Sequence, residues 1–490
     1  MPSRAQGLQS RYWATIQVRT VEDAARGSQP LTALGRARRW WRRIAATIVR
    51  SRERPPDDLD TVHLHGEIGV LLAESRIQRG GEISARERVK RIAAIYRASN
   101  PARRAIILGL FSREFAPDRT ELESALAAVE LATDDTAFAR AEARLRLALD
   151  TPRANFLAQF NLLPDGVKFL VDLRSDLLEM LEKDPALEVL RVELDGLLRS
   201  WFDPGFLELQ RITWQSPALV LEKLMSYEAV HPIQSWTDMR NRLDTDRRCY
   251  AFFHPRLPDE PLIFVEIALV KGLPDSVQSL LDESAPLQDP ASADTAIFYS
   301  ISNTQRGLRG ISFGNLLLKR VIESLRRDLP KLEGFATLSP VPGFREWLDS
   351  ALARGETLLT SADAARIGAA AGDVGPQEAL AAALARPEWI RDAKLVEAMH
   401  APLERLCARY LLKERSDGQP RDPVAAFHLN NGARIDRLFW LADTSERGMR
   451  QSYGMMASYR YELSEVDRNH ERFLGTGEVT ASRRVQRLID

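Results

Sequence analysis

Between Asp57 and Phe202 apolar residues recur every three or four positions in a background rich in Ala, Leu, Arg and Glu, and that period predicts amphipathic helices. Val167, Leu170, Leu173, Leu177, Leu178 and Leu181 make one stripe. Val189, Leu190, Leu194, Leu197, Leu198 and Trp201 make another, so the helices are expected to pack on each other. Start signals accompany them. Ser84 with Glu87 and Asp118 with Glu121 have capping-box spacing, while Asn100 before Pro101 and Thr151 before Pro152 read as caps followed by proline in the first turn. No fixed-period repeat runs through the segment, which argues against a solenoid.

The pattern breaks at Asp203, Pro204 and Gly205, where the composition moves toward Phe, Tyr, Ile, Val, Pro and Thr. The chain therefore divides into a basic segment, flexible or helical, at 1–56, a helical domain at 57–203 and a second domain at 204–490. In the second domain strands are expected at Cys249–Phe253, Leu262–Lys271, Thr295–Ile301 and Gly334–Leu338, and over part of Ala425–Leu441. Helices are expected at Asn315–Leu329 and within the Ala-rich segment Gln377–Leu412. Such alternation predicts a mixed sheet, so the fold class is α+β overall: an all-α domain followed by an α/β domain. Ala351–Asp373, rich in Ala and Gly, reads as a mobile insertion.

The organising stretch is Thr295–Leu348, read as strand, glycine-punctuated loop, helix and strand. Leu318, Val321, Ile322, Leu325 and Leu329 fall at helical spacing, with Arg320, Arg326 and Arg327 on other faces and Pro330 at the end. The helix follows directly on the loop, and the free N–H groups of its first turn form a ready anion site.

Composition narrows the possibilities. A chain of 490 residues with 44% hydrophobic and 28% charged residues fits a globular protein of two domains. Lys plus Arg and Asp plus Glu both number 68, which removes any global argument for nucleic acid as a partner. The longest apolar run, Leu262–Val270, is short and interrupted by Glu266, so no membrane span is expected. Cys249 and Cys407 are the only cysteines and neither has a CxxC neighbour. That argues for a reducing compartment and against a disulfide framework or a thiolate metal site. With no secretory signal read at the N-terminus, a soluble cytoplasmic protein is expected. The seven histidines are scattered without ligand spacing, and no metal is expected.

Physical reading leaves three places for chemistry. In the loop Asn303–Gly314 the glycines permit close backbone approach, and Arg306 and Arg309 can pair with phosphate; the plain alternative is a strand-to-helix turn. Ser339 ends an expected strand, where a serine before proline is ordinarily a turn residue. His428, followed by Asn430, Asn431 and Gly432, can exchange a proton near neutral pH or simply be a hydrogen-bonded structural histidine. His254, beside Pro255, ranks below it.

The segments FYSISNTQRGLRGISFGNLLLKRVI, TLSPVPGF, AFHLNNGARIDRLFWLADTS and ASYRYEL, with AVHPIQSWTDMRNRL and RRCYAFF upstream, resemble malonyl-CoA decarboxylase in order and spacing over residues 200–475. The resemblance implies a helical domain that mediates oligomerisation to a dimer or tetramer. It also implies a catalytic domain of the GNAT (acetyltransferase-like) fold, and conversion of malonyl-CoA to acetyl-CoA and carbon dioxide without metal or organic cofactor. It places catalysis at Ser339 and His428. Ser300, Gln305, Arg306, Gly307, Arg309, Gly310 and Tyr461 are placed at the substrate and coenzyme A. Where some members carry a glutamate just after GLxG, this chain has Ser312. An acyltransferase on the same fold and a non-catalytic acyl-CoA-binding protein are the rival readings.

Overall fold

Seven α-helices run between residues 82 and 201: α1 (Glu82–Ala98), α2 (Pro101–Glu114), α3 (Arg119–Glu130), α4 (Asp135–Leu149), α5 (Pro152–Ala158), α6 (Gly166–Met180) and α7 (Glu188–Trp201). The computed structural model describes residues 66–75, 81–149, 152–311, 316–372, 374–416 and 418–490. Segment 1–56, Thr151 and the start of the helix after the glycine loop, with Ser312, lie outside them. Contacts divide the chain into units 1–77 and 78–490; in the first, residues 66–75 form a helix.

Two of the expected caps are present. Asn100 accepts from the Arg103 N–H at 2.9 Å, and Asp118 accepts from Thr120 at 3.0 Å. Ser84 does not cap, because α1 starts two residues earlier behind Gly81. The two stripes meet as expected: Val167, Leu170, Leu173 and Leu177 are buried, as are Leu190, Leu194 and Leu198. Val189 is exposed instead, since the row of α7 that reaches Leu194 and Leu198 at fourfold spacing starts at Leu190.

Asp203 caps the turn that leads into the sheet domain. There the order is β1 (Glu208–Ile212), α8 (Ala218–Tyr227), α9 (Trp236–Asn241), β2 (Arg247–Phe253), β3 (Ile263–Val270), β4 (Thr295–Asn303), α10 (Leu316–Asp328), β5 (Gly334–Thr337), β6 (Ser339–Pro340) and α11 (Phe344–Ala353). It continues through α12 (Ser361–Ala370), α13 (Ala379–Leu384), α14 (Ala393–Lys413), α15 (Pro423–Asn430), β7 (Arg434–Phe439), α16 (Glu446–Ser452), β8 (Met456–Arg460) and α17 (Val466–Thr476). The strands form an eight-stranded sheet in the order β1-β2-β3-β4-β5-β8-β6, with β7 also on β8. Every pairing is antiparallel except β4 with β5.

Both faces of the sheet are covered, which is why β2 and β3 read as nearly unbroken apolar runs. Tyr250 and Phe252 face one core, shared with Val167, Val171 and Leu198 of the helical part and with Val321, Ile322 and Leu325 of α10. Cys249, Ala251 and Phe253 face the other, with Val220, Leu221 and Leu224 of α8. The helical part is thus packed directly on the sheet.

One expectation changes. Segment 351–373 is no loose insertion: Thr360 caps α12, and Ile367 and Ala371 enter the main core. The strand expected over part of 425–441 is Arg434–Phe439, and it follows a helix that Asp422 and Pro423 start and that runs to Asn430. Strands β1 and β8 carry too few consecutive large apolar residues to stand out in the sequence.

Candidate active site

The site lies where two parallel strands part. β4 pairs with β5 from Thr295↔Gly334 to Phe298↔Thr337, and no further. Beyond that point β4 continues beside β3 alone, while the other chain moves on to β6, where Ser339 pairs with Ala457 of β8. The gap is bordered by Phe298 and Ile301 on one side and by Ser339 and Pro340 on the other, with Val424, Phe427 and His428 of α15 across it.

Helix α15 carries His428 into the gap. Asp422 accepts from the N–H groups of Val424 (3.0 Å) and Ala425 (2.8 Å), so a carboxylate cap and Pro423 fix where the helix begins. After Asn431 the chain turns through Gly432 at φ +77°, where a Cβ would stand 2.2 Å from the Val466 carbonyl. The Asn-Asn-Gly that follows His428 is therefore the stop of its helix.

Ser339 Oγ lies 3.2 Å from His428 Nε2, and His428 Nδ1 lies 2.8 Å from the Tyr461 hydroxyl. The Ser339 hydroxyl also donates to Thr337 Oγ1 at 2.8 Å, which in turn accepts from the Tyr459 N–H at 3.1 Å. The Tyr459 ring stacks on the imidazole at 4.4 Å. All three members of the Ser339, His428 and Tyr461 chain are buried. Burial drives the imidazole down to about 3, so it is neutral at physiological pH, and drives the Tyr461 phenol up.

The cavity at Ser339 and His428 measures about 330 Å³, and its lining includes no Asp, Glu, Lys or Arg. A second cavity of about 510 Å³ adjoins it through the shared residues Ile301, Asn303 and Phe427. Gln305, Arg306, Arg309 and Gly310 line this second space, with Asn430 and Asn431 from the end of α15. Together the two cavities make a groove, uncharged at the serine end and bordered by arginines at the other.

Not every candidate residue faces this groove. Gly307 packs on α6, where a Cβ would sit 1.8 Å from the Val171 carbonyl. Ser300 donates to Glu228 at 2.7 Å and does not line either cavity. His254 is structural: its Nε2 lies 3.0 Å from the Trp201 carbonyl and its Nδ1 accepts from the Arg256 N–H. Among the described residues no group of three or more His, Cys, Asp or Glu could hold a metal ion.

Sequence reasoning passed over Thr337, Tyr459 and Asp422. A signal existed for the first two, since Thr337 with Ser339 and Tyr459 with Tyr461 are spaced two apart on extended chain and so reach one face. Asp422 with Pro423 is an ordinary helix-start pair that was not singled out beside the apolar run after it.

Known proteins show the same arrangement of domains. The description "Malonyl-CoA decarboxylase C-terminal domain" matches residues 205–490, and "Malonyl-CoA decarboxylase N-terminal domain" matches 115–202. The mitochondrial malonyl-CoA decarboxylase of Anser anser anser is 41% identical over 406 residues, covering 79% of this chain and 80% of the goose protein. The crystal structure of malonyl-CoA decarboxylase from Rhodopseudomonas palustris superposes with a TM-score of 0.78 at 40% identity, over 86% of this chain and 99% of that one. That from Agrobacterium vitis gives the same TM-score and identity over 86% of this chain and all of the other. These likenesses run through both domains, so the chain belongs to the malonyl-CoA decarboxylase family and is a carboxy-lyase that converts malonyl-CoA to acetyl-CoA and carbon dioxide.

Proposed function

We propose that Ser339, His428 and Tyr461 form a proton relay that completes decarboxylation in the uncharged cavity, and that coenzyme A lies along the groove with its phosphates at Arg306, Arg309 and Gly310. The observation that carries this reading is the unbroken hydrogen-bonded chain from Ser339 through both ring nitrogens of His428 to Tyr461.

Cleavage of the bond between the methylene and the carboxylate carbon releases carbon dioxide and sends an electron pair toward the thioester oxygen. As the charge spreads from the carboxylate into the enolate, the buried cavity favours the delocalised form over the localised one. The enolate carbon must then gain one proton. In the free protein only burial depresses His428; a malonyl carboxylate beside it supplies the opposite charge the site lacks, so the imidazole takes up a proton as substrate binds. After carbon dioxide leaves, Nε2–H gives its proton to Ser339 Oγ while the serine hydroxyl proton passes to the enolate carbon. Histidine returns to neutral, and throughout Tyr461 holds the ring through Nδ1. No metal or organic cofactor takes part. Turnover of malonyl-CoA by the purified protein with a chelator present tests this: sustained carbon dioxide release is expected, and loss of activity that a divalent metal restores would overturn it.

The parting of β4 from β5 supports a GNAT-like reading of the sheet, with the acyl group in the gap. The chain is further read as a cytoplasmic homo-oligomer joined through its helical domain. The two free cysteines are buried, and among the described residues no helix is long and apolar enough to cross a membrane. The hairpin of α3 and α4 exposes Leu131, Phe138 and Leu147, an apolar surface suited to another subunit. Sedimentation of the native protein checks this, with a dimer or tetramer expected and a monomer at micromolar concentration contradicting it.

A further inference from the structure

One buried cation of the helical domain touches the loop read above as the coenzyme A site, and the proposed activity does not use it. Arg174, on α6, is fully buried. Its Nε pairs with Asp195 of α7 at 2.6 Å, and its Nη1 donates to the backbone carbonyls of Gly307 (2.6 Å) and Arg309 (3.0 Å). Asp195 is in turn held by Arg191 at 2.5 Å. A buried guanidinium is costly unless paired and hydrogen-bonded, and here Asp195 ties it to α7 while both Nη1 bonds fix the loop relative to the helices. The loop could not come this close with a side chain at 307, because a Cβ would collide with the Val171 carbonyl of the same helix.

The consequence follows from peptide geometry. In a trans peptide the C=O and the next N–H point in opposite directions. Directing the Arg309 carbonyl at Arg174 therefore turns the Gly310 N–H away from α6. That N–H makes no backbone hydrogen bond among the described residues, whereas the neighbouring Arg309 and Ile311 N–H groups bond to Arg306 and Leu308. Gly310 and the exposed Arg309 both line the second cavity.

We propose that Arg174, anchored by Asp195, is a positioning residue through which the helical domain sets the grip on the phosphate-bearing end of coenzyme A, by holding the Gly310 N–H and the Arg309 side chain toward the groove. This rests on the reading of the 305–311 loop as the coenzyme A site. The helical domain thereby contributes to the choice of a nucleotide-bearing thioester over a short one, while the chemistry at Ser339 remains independent of it.

The test compares malonyl-CoA with malonyl-pantetheine, which has the same reacting group and no nucleotide or diphosphate. Arg174→Lys keeps the charge but cannot reach all three acceptors. It is expected to raise KM for malonyl-CoA about tenfold with kcat within about twofold, and to change kcat/KM for malonyl-pantetheine less than about twofold. Asp195→Asn, which leaves the guanidinium in place but loosens it, gives the same pattern at smaller size. A general loss of packing would reduce both substrates alike. Equal losses for the two substrates, or no change in KM for malonyl-CoA with either variant, overturn the proposal. Arg309→Ala separates the two levels of the argument. If it raises KM for malonyl-CoA and Arg174→Lys does not, the brace alone is wrong; if neither does, the loop is not the coenzyme A site and the proposal falls with it.

Discussion

Around Ser339 and His428 the walls carry no permanent charge and the reactive side chains are buried and bonded to one another. A few residues along β4, the adjoining cavity has two exposed arginines, of which Arg306 makes, among the described residues, only a 3.9 Å contact with Glu179. Exposed contacts of that length contribute little, so these arginines are left available to a ligand. One end of the groove is arranged to hold the malonyl group and to move one proton; the other to receive phosphates. Damage to the first should therefore appear in kcat, and damage to the second in KM.

The largest effect is expected for His428→Ala, which removes the proton source and should lower kcat about 100- to 10,000-fold at nearly constant KM. Ser339→Ala follows, with a loss of about 100- to 1,000-fold on the same assay. A variant of either residue that folds normally and turns over at near-normal rate breaks the distinction between the two ends. Arg309→Ala should instead raise KM about three- to tenfold with kcat unchanged, since one screened phosphate contact is lost; a lowered kcat at constant KM would contradict that assignment. Tyr461→Phe keeps the ring and removes only the bond to Nδ1, and a two- to tenfold drop in kcat is expected, of about the size of one hydrogen bond.

Stability against pH separates the reactive end further. Burial pushes the Asp422 carboxyl up to about 7, above its ordinary 3.8. A group raised in the folded state stabilises most below its unfolded value, and that stability is lost as pH rises from about 4 through about 7. Asparagine is an equally good helix cap, so Asp422→Asn should retain α15 and make urea unfolding less sensitive to pH between about 4 and 7. An unchanged pH slope would show that Asp422 is ionised in the native protein. His428 acts on the acid side. Its neutral folded form stabilises above pH 6.5 and that contribution is lost as pH falls toward 3.

The two ends also differ in how legible they were in the sequence. Much that single side chains report of their own surroundings was legible, the stripes of α6 and α7, the caps at Asn100 and Asp118, and β2, β3 and β4 being visible as period or composition, although Ser84 does not cap and Val189 is exposed. Pairing across the chain was not visible. Ser339 and His428 are 89 residues apart, and nothing in either local sequence announces the other; the family resemblance joined them. Arg174 was hidden for the same reason, being one more arginine in an arginine-rich helical segment until folding buries it against Gly307. Errors of the opposite kind occurred where composition misled. The Ala-rich segment at 351–373 looked loose, yet small residues let α12 approach the core closely, and the helix that Asp422 and Pro423 begin was not singled out ahead of the strand that follows it.

A double-mutant cycle on malonyl-CoA turnover tests the central claim most directly, by comparing kcat for Ser339→Ala, His428→Ala and the double variant, each checked for native folding. Because the relay passes one proton through both residues, the double variant should be no more than about threefold slower than the worse single variant. If the two losses multiply instead, Ser339 and His428 act independently and the relay is wrong.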